Sequence, residues 1–388
     1  MRTIDQPEKK TFVFYTAGDY LHTPSTGGTG RYLELLEYFL EAGDNVYILA
    51  PENVNIQHHI NLYHIPIKTY RSKFLPNGLL NFLFNLKSFH TVKRLDTDGL
   101  ILFSVPYAIQ GILAGLKNIN LFIREDILQN MHFRAQNEKG VRKRLIKLEL
   151  KLFRLIERYT LKKVQKIILQ SHYAKGVLKQ RHTGICEKLE KKSYILYNNV
   201  NARWMLCYSD YIRQKSVNRK NGYYFIFIGR INTKIKGLHL LLEAVRYLLD
   251  KGYPLQLDVI GEGLLKSDYK YLYRSYNQIK FVGWMDQPMT ILPNYDLLIV
   301  PSLSDSFPNV ILEALFLEFP VIGSEAGGIP EILFYPELMF KPSERDLAAK
   351  LQEVIENKRL EDIQQKCRER KQALTFNWGE KAREIVSP

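Results

Sequence analysis

Two cations and two carboxylates in the second half of the chain have the types and spacing to hold a diphosphate that carries hydroxyl groups on either side. Arg230 directly follows the apolar run 223–228, and Lys236 stands just ahead of Gly237 and a helical pattern. A rigid guanidinium fork and an ammonium point charge placed this way can converge on phosphate. Asp305 follows a second apolar run, 295–301, and Glu313 lies in the helical pattern of Val310, Leu312, Ala314 and Leu315. Between the two acids, a helix start leaves its first N–H groups without intrahelical partners, and the positive end of the helix dipole adds to them. One loop therefore offers an acid for hydroxyls, N–H groups near Asn309 and Val310 for phosphate, and a second acid on the helix beyond. The same residues would also suit an ordinary strand–loop–helix, with Ser304 or Ser306 as the cap and Glu313 solvated. The neighbouring strand ends weigh against that plainer account. Gly229-Arg230, Gly261-Glu262-Gly263, Gly283-Trp284 and the stretch 324–331 each place glycine, charge or small polar residues after an apolar run.

The elements that must position these groups alternate along the chain. Residues 223–228, 255–260, 279–282, 296–300 and 320–323 read as buried parallel strands, with helical patterns between them. The first half repeats the alternation, with strands at 11–15, 45–50, 99–103, 119–123, 166–170 and 194–197. Such a pattern is α/β, and its ligand crevices lie at the strands' C-terminal ends. There the first half carries a glycine-rich loop, 25–31, with Gly27, Gly28 and Arg31, before a helix that starts at Tyr32 and is capped by Gly43. It is not a Walker A loop, since no Gly-Lys-Ser/Thr follows. The end of 119–123 carries Arg124-Glu125-Asp126. Residues 74–89 read as a core-facing amphipathic helix. The polar stretch 202–221 reads as a linker, and 388 residues suit two domains.

Hydrophobic content of 46% and charged content of 24% are those of a soluble globular protein. No apolar run reaches membrane-spanning length, the polar N-terminus is a poor signal peptide, and Cys186, Cys207 and Cys367 have no metal-binding spacing. The net charge of +15 is carried entirely by residues 1–217. Eleven of these cations lie between 139 and 166 against Glu149 and Glu157 alone. In that stretch Val141, Leu145, Leu148, Leu152, Leu155 and Tyr159 form one apolar stripe, which reads as the face packed on the core. Ile146, Leu150 and Phe153 widen the apolar surface among the basic residues. Arg142, Lys143, Arg144, Lys147 and Lys151 are then candidates for contact with an anionic membrane. The charge alone would also suit nucleic acid, but no RNP, zinc or helix-turn-helix signature accompanies it.

In their order and spacing, Gly229-Arg230 with Lys236-Gly237, Gly261-Glu262-Gly263, Val282-Gly283-Trp284, Asp305 to Val310 with Glu313, and Ala326 to Glu331 resemble glycosyltransferase family 4. The resemblance covers nearly the whole chain, and the N-terminal half matches mainly in pattern. It implies the GT-B fold, two Rossmann-like domains with parallel sheets facing across a cleft. Their bounds would be 1–205, completed by a C-terminal helix 373–388, and 222–372, with a linker at 206–221. It also implies retaining transfer of a sugar from a nucleotide sugar, UDP-linked rather than GDP-linked, without metal or other cofactor. The acceptor would be a glycan or lipid-linked glycan in bacterial cell-surface assembly, met at the inner face of the membrane from the cytoplasm. Another GT-B enzyme, such as a sugar-nucleotide epimerase or phosphorylase, is the alternative.

By position, the resemblance makes Glu313 a ribose ligand and Asp305 a contact to donor-sugar hydroxyls. Gly229, Gly261 and Ser306-Phe307-Pro308-Asn309-Val310 would line the donor, and Gly283-Trp284-Met285 would lie near the base. Gly27, Gly28 and Arg31 would face phosphate or acceptor. Asp305 and Glu125, with Arg230 and Lys236, are the catalytic candidates. Glu125 stands where the family often has His, and His132 or His172 could serve instead. Asp305 departs from the commoner Glu.

Overall fold

The computed structural model describes residues 9–15, 27–51, 59–68, 83, 85–124, 126–200, 222–232 and 234–388. The chain forms two compact units, one of Met1–Gln170, Lys175–Leu196 and Asn377–Pro388, the other of Ser171–Ala174 and Tyr197–Phe376. The division precedes the expected end of the first domain at 205. Val200 N–H donates to Leu374 O at 2.9 Å, Asn199 Nδ2 to Phe376 O at 2.8 Å, and Tyr197 stacks on Phe307, so 197–200 belong with the second unit. At the other end the tail passes to the first unit at Asn377, not at 373. The expected linker 206–221 lies outside the described residues.

The first unit is built on β1 (Thr11–Tyr15), α1 (Gly27–Glu41), β2 (Asn45–Pro51), β3 (Leu62–Ile67), α2 (Leu86–Lys93), β4 (Gly99–Leu102), α3 (Val105–Leu113), β5 (Ile119–Ile123), α4 (Ile127–Asn137), α5 (Gly140–Lys163), β6 (Lys166–Leu169), α6 (His172–Arg181, whose residues up to Ala174 group with the second unit), α7 (Cys186–Lys192) and β7 (Ser193–Ile195). Its strands pair in parallel in the order β3-β2-β1-β4-β5-β6-β7. β3 was not legible in the irregular stretch where it lies: its sequence LYHIPI alternates and includes Pro66. Of the helix expected at 74–89, the described part is α2, which buries Phe89 and Val92 and exposes Leu86.

The second unit comprises β8 (Tyr223–Ile228), α8 (Leu238–Asp250), β9 (Leu255–Ile260), α9 (Lys266–Leu272), β10 (Ile279–Gly283), β11 (Leu297–Val300), α10 (Asn309–Phe316), β12 (Val321–Ser324), α11 (Ile329–Leu333), β13 (Met339–Phe340), α12 (Glu344–Glu356) and α13 (Leu360–Ala373). Its parallel order is β10-β9-β8-β11-β12-β13. Strand order in both sheets reverses beside the unit's first strand, the doubly wound arrangement. α14 (Trp378–Val386) returns to the first unit. Trp378 is fully buried, and Gly379 packs on Tyr38 of α1 so closely that a Cβ would come within 2.4 Å of its ring.

Helix α5 inverts the expected faces. Val141, Leu145, Leu148, Leu152, Leu155 and Tyr159 are exposed, from 45% to 72%. The buried face is Ile146, Leu150, Glu157, Thr160 and Leu161, and Ile146 and Leu150 pack on Leu128 and Ala135 of α4 with Phe153 beside them. The polar residue that fixes this orientation is Glu157. Its carboxylate accepts from Arg181 at 3.1 and 3.2 Å and pairs with His182 Nε2 at 2.7 Å, and such a group is buried only where it is paired. Periodicity finds a stripe but does not say which of two stripes faces inward.

Asp44, with its side chain fully buried, anchors α14. It accepts from Arg383 at 2.7 and 2.8 Å and from the Lys10 N–H at 3.1 Å. Lys166 Nζ donates to the Ile385 and Ser387 carbonyls at the same helix end. Asp44→Ala leaves a mostly buried guanidinium without its carboxylate and should cost about 3–5 kcal/mol. Urea unfolding monitored by circular dichroism checks this, and a loss under about 1 kcal/mol, as for a surface pair, would show that the anchor is dispensable.

Candidate active site

The second unit's sheet changes direction between β8 and β11, and the predicted cations and acids gather there. The approach is made backbone to backbone. Gly237, at φ +69°, closes the turn before α8, and a Cβ on it would lie 1.7 Å from Pro301 O, just past β11. Leu303 N–H donates to Ile235 O at 2.7 Å across the same contact. Gly328 lies so close to the loop after β11 that a Cβ would come within 1.8 Å of Ser306 O, and its N–H donates to Asp305 O at 2.8 Å. Gly261 N–H donates to Gly283 O at 2.8 Å, which ties the ends of β9 and β10 together. Gly229 meets Gly261 from the end of β8. Loops from five strands are thus held in one layer.

On this layer Lys236 Nζ meets Asp305 Oδ2 at 2.5 Å, both side chains partly exposed. Asp305 Oδ1 accepts the Phe307 N–H at 3.3 Å. Lysine has three donor hydrogens and the pair uses one, so the ammonium retains capacity for phosphate. Arg230 is exposed at the end of β8. Helix α10 follows Pro308 with no side-chain cap among the described residues. Neither Ser304 nor Ser306 takes that role: Ser304 Oγ is hydrogen-bonded to Tyr173 Oη at 3.0 Å. The first turn of α10, with Asn309 and Val310, therefore keeps N–H groups and dipole together as an anion-binding end. Asn309 Oδ1 is fixed by Asn198 Nδ2 at 3.0 Å. Glu313 is half-buried on the same helix, and Phe307 is buried against Tyr197. Trp284 is largely exposed, its Nε1 donating to Asp286 at 2.9 Å, while Met285 packs on the core.

Other expected residues are placed differently. Gly27 and Gly28 open α1 itself, so the helix begins before the expected Tyr32. Arg31 is 1% exposed, paired with Glu34 at 2.8 Å, and its guanidinium lies 5.6 Å from the centre of the Trp378 ring. Glu125 lies outside the described residues. His132 is exposed on α4, and the His172 N–H donates to Glu331 Oε2 at 2.8 Å. Glu331 also takes the Tyr173 N–H at 2.8 Å, a capping role that the sequence motif at 326–331 contained but that had not been assigned. Burial, together with the Glu331 charge, pushes the nearby Tyr197 hydroxyl up to about 12. The Ser324 Oγ bond to Ser302 O at 2.5 Å, which ties β12 to the loop after β11, was also not foreseen.

Residues 209–373 match the family described as glycosyl transferases group 1. The match lies in the second unit and spans less than half of the chain. That family is one of enzymes, and the domain carries the residues assembled above. The capsular polysaccharide biosynthesis glycosyltransferase CapM of Staphylococcus aureus is 28% identical over 144 residues, 35% of this chain and 37% of CapM. The chain thus aligns with little more than a third of that relative's length. An uncharacterised glycosyltransferase of Methanocaldococcus jannaschii is 25% identical over 325 residues, 79% of this chain and 82% of that protein. The crystal structure of Anabaena HepE in complex with UDP and glucose superposes with a TM-score of 0.68 at 16% identity, covering 97% of this chain and 99% of that one. At that identity the likeness is one of fold, and the fold is GT-B.

The glycine contacts are directly testable. Gly252 has φ +83° but open space around it, so Gly252→Ala carries backbone strain alone, about 1–3 kcal/mol. Gly237→Ala adds a collision with Pro301 O and should exceed about 4 kcal/mol or leave the domain unfolded. Equal losses in thermal unfolding would show that the close approach of the β8 and β11 loops does not hold the layer.

Proposed function

We propose that the protein moves a sugar from a nucleotide sugar, UDP-linked rather than GDP-linked, to a glycan or lipid-linked glycan with retention of configuration. The observation that carries this reading is the set of groups at the turn of the second sheet: Arg230, the Lys236–Asp305 pair, the α10 N-terminus and Glu313. When the bond between sugar and diphosphate breaks, negative charge collects on the departing diphosphate. Arg230, Lys236 and the Asn309 and Val310 N–H groups answer that charge, which is the work a metal ion would otherwise do. Glu313 takes ribose hydroxyls and Asp305 takes hydroxyls of the sugar. Gly283-Trp284-Met285 lies beside the base, and Gly229, Gly261 and the 306–308 backbone border the donor.

The name of CapM and the ligands of HepE favour polysaccharide assembly and a uridine donor. No helix among the described residues is long and apolar enough to cross a membrane. The protein works at the inner membrane face as a peripheral enzyme. Arg142, Lys143, Arg144, Lys147 and Lys151 of α5 meet anionic headgroups; Arg142 is exposed and pairs with Glu138 at 3.3 Å.

Incubation of the purified full chain with a panel of UDP- and GDP-sugars, with and without glycan acceptors, tests the reading. Arg230→Ala should lower kcat about 10²–10³-fold. Glu313→Gln should act mainly through the donor KM. Full activity in either variant, or product formed from the donor without acceptor as an epimer, would overturn it.

A further inference from the structure

We propose that the outward face of α5 lies within the surface of an anionic lipid membrane, with the ladder Val141, Leu145, Leu148, Leu152, Leu155 and Tyr159 inserted between the lipids. This deepens the membrane part of the reading above and rests on it. The ladder recurs at alternating steps of four and three residues along a helix about 36 Å long, and its large side chains are at least 45% exposed. It lies opposite the buried face of Ile146, Leu150 and Glu157, so no rearrangement of the core is needed to present it. A continuous apolar strip of this size is a docking surface.

Charge selects the occupant. Arg144, Lys147, Lys151, Arg154 and Arg158 run along one flank of the ladder, all exposed. Of the acids in α5, Glu157 is buried and paired, and Glu149 alone is exposed. A second copy laid antiparallel on the ladder sets Arg144 against Arg158 and Lys151 against its own counterpart, and like charges there oppose pairing. An anionic headgroup layer accepts the cationic flank and the hydrocarbon beneath it accepts the leucines, the mode of helices that lie in the interface. The face continues past the helix. Leu113 of α3 is 57% exposed, and Tyr159 borders a basin of about 280 Å³ with Ile112, Leu116, Lys117 and Lys163. The basin, with Lys117 and Lys163 in its lining, is large enough for a headgroup phosphate.

Flotation of the full chain tests this, using vesicles of phosphatidylcholine alone and of an equal mixture with phosphatidylglycerol. The wild type should float only with the mixture. Leu148→Ser with Leu152→Ser removes two exposed leucines, each worth about tenfold in partitioning, so binding should fall about a hundredfold with the unfolding midpoint unchanged. Replacing Arg144, Lys147 and Lys151 by Gln should weaken binding about a hundredfold and flatten its salt dependence. Three outcomes would overturn the proposal: flotation unaffected by the serine pair; no flotation of the wild type, which would leave the face to an acidic protein helix; or a wild-type dimer in sedimentation that the serine pair dissolves. Flotation needs no sugar donor. Absent transfer with normal flotation therefore defeats the enzymatic reading alone, and normal transfer to a water-soluble acceptor with unaltered flotation of the serine pair defeats this one alone.

Discussion

The contact of loop backbone on loop backbone at the ends of β8, β11 and β12 governs the second unit. Gly237 on Pro301 and Gly328 on Ser306 bring three chain segments closer than any side chain would permit. Without that closeness Lys236 would not reach Asp305, and the start of α10 would stand away from Arg230's strand. The glycines carry no chemistry themselves. They set the distance at which side chains from separate loops meet, and the hydrogen bonds Leu303 N to Ile235 O and Gly328 N to Asp305 O hold that distance.

Within the layer, the Lys236–Asp305 pair is better understood as positioning than as a source of stability. Both groups are partly exposed, and pairs in that setting are worth about 0–1 kcal/mol. What the pair does is orient the carboxylate. One oxygen is held by the ammonium and the other by the Phe307 N–H. An acid fixed through both oxygens presents its remaining lone pairs in set directions, which suits the selection of one arrangement of hydroxyls over another. The shorter Asp at this position acts through the same constraint, because its reach is set by the backbone of the loop and not by rotation of a longer chain.

Much of this arrangement was legible in the sequence because it is local. Strands β5, β8 and β9 are apolar runs with clear ends, and the groups that matter follow them within a few residues. The contacts that bring loops together were only partly legible. Gly237 and Gly328 could be noticed as glycines, but Pro301 and Ser306 as their partners depend on strand order. The faces of α5 failed for a different reason. Its two apolar stripes have similar periodicity, and what decides between them is Glu157, whose partners Arg181 and His182 come from α6 and the turn after it. Arg31 shows a similar limit: nothing in the glycine-rich stretch tells that Glu34 and the Trp378 ring lie beside it.

The two sheets share one strand order but not one chemistry. In the second unit the crevice beside the first strand keeps its cations at or near the surface. In the first, cations near the corresponding strand ends are drawn inward: Arg31 and Arg124 both lie over the Trp378 ring, at 5.6 and 5.5 Å. Burial, and then the like charge of Arg31, hold the Arg124 guanidinium below its ordinary range. Two guanidinium groups thus lie over one indole, that of the first residue of α14, and Arg31 also pairs with Glu34. Equal topology thus places its cations differently, inward in one unit and at or near the surface in the other. Strand order alone therefore does not single out a candidate site; where each cation lies is what distinguishes the two crevices.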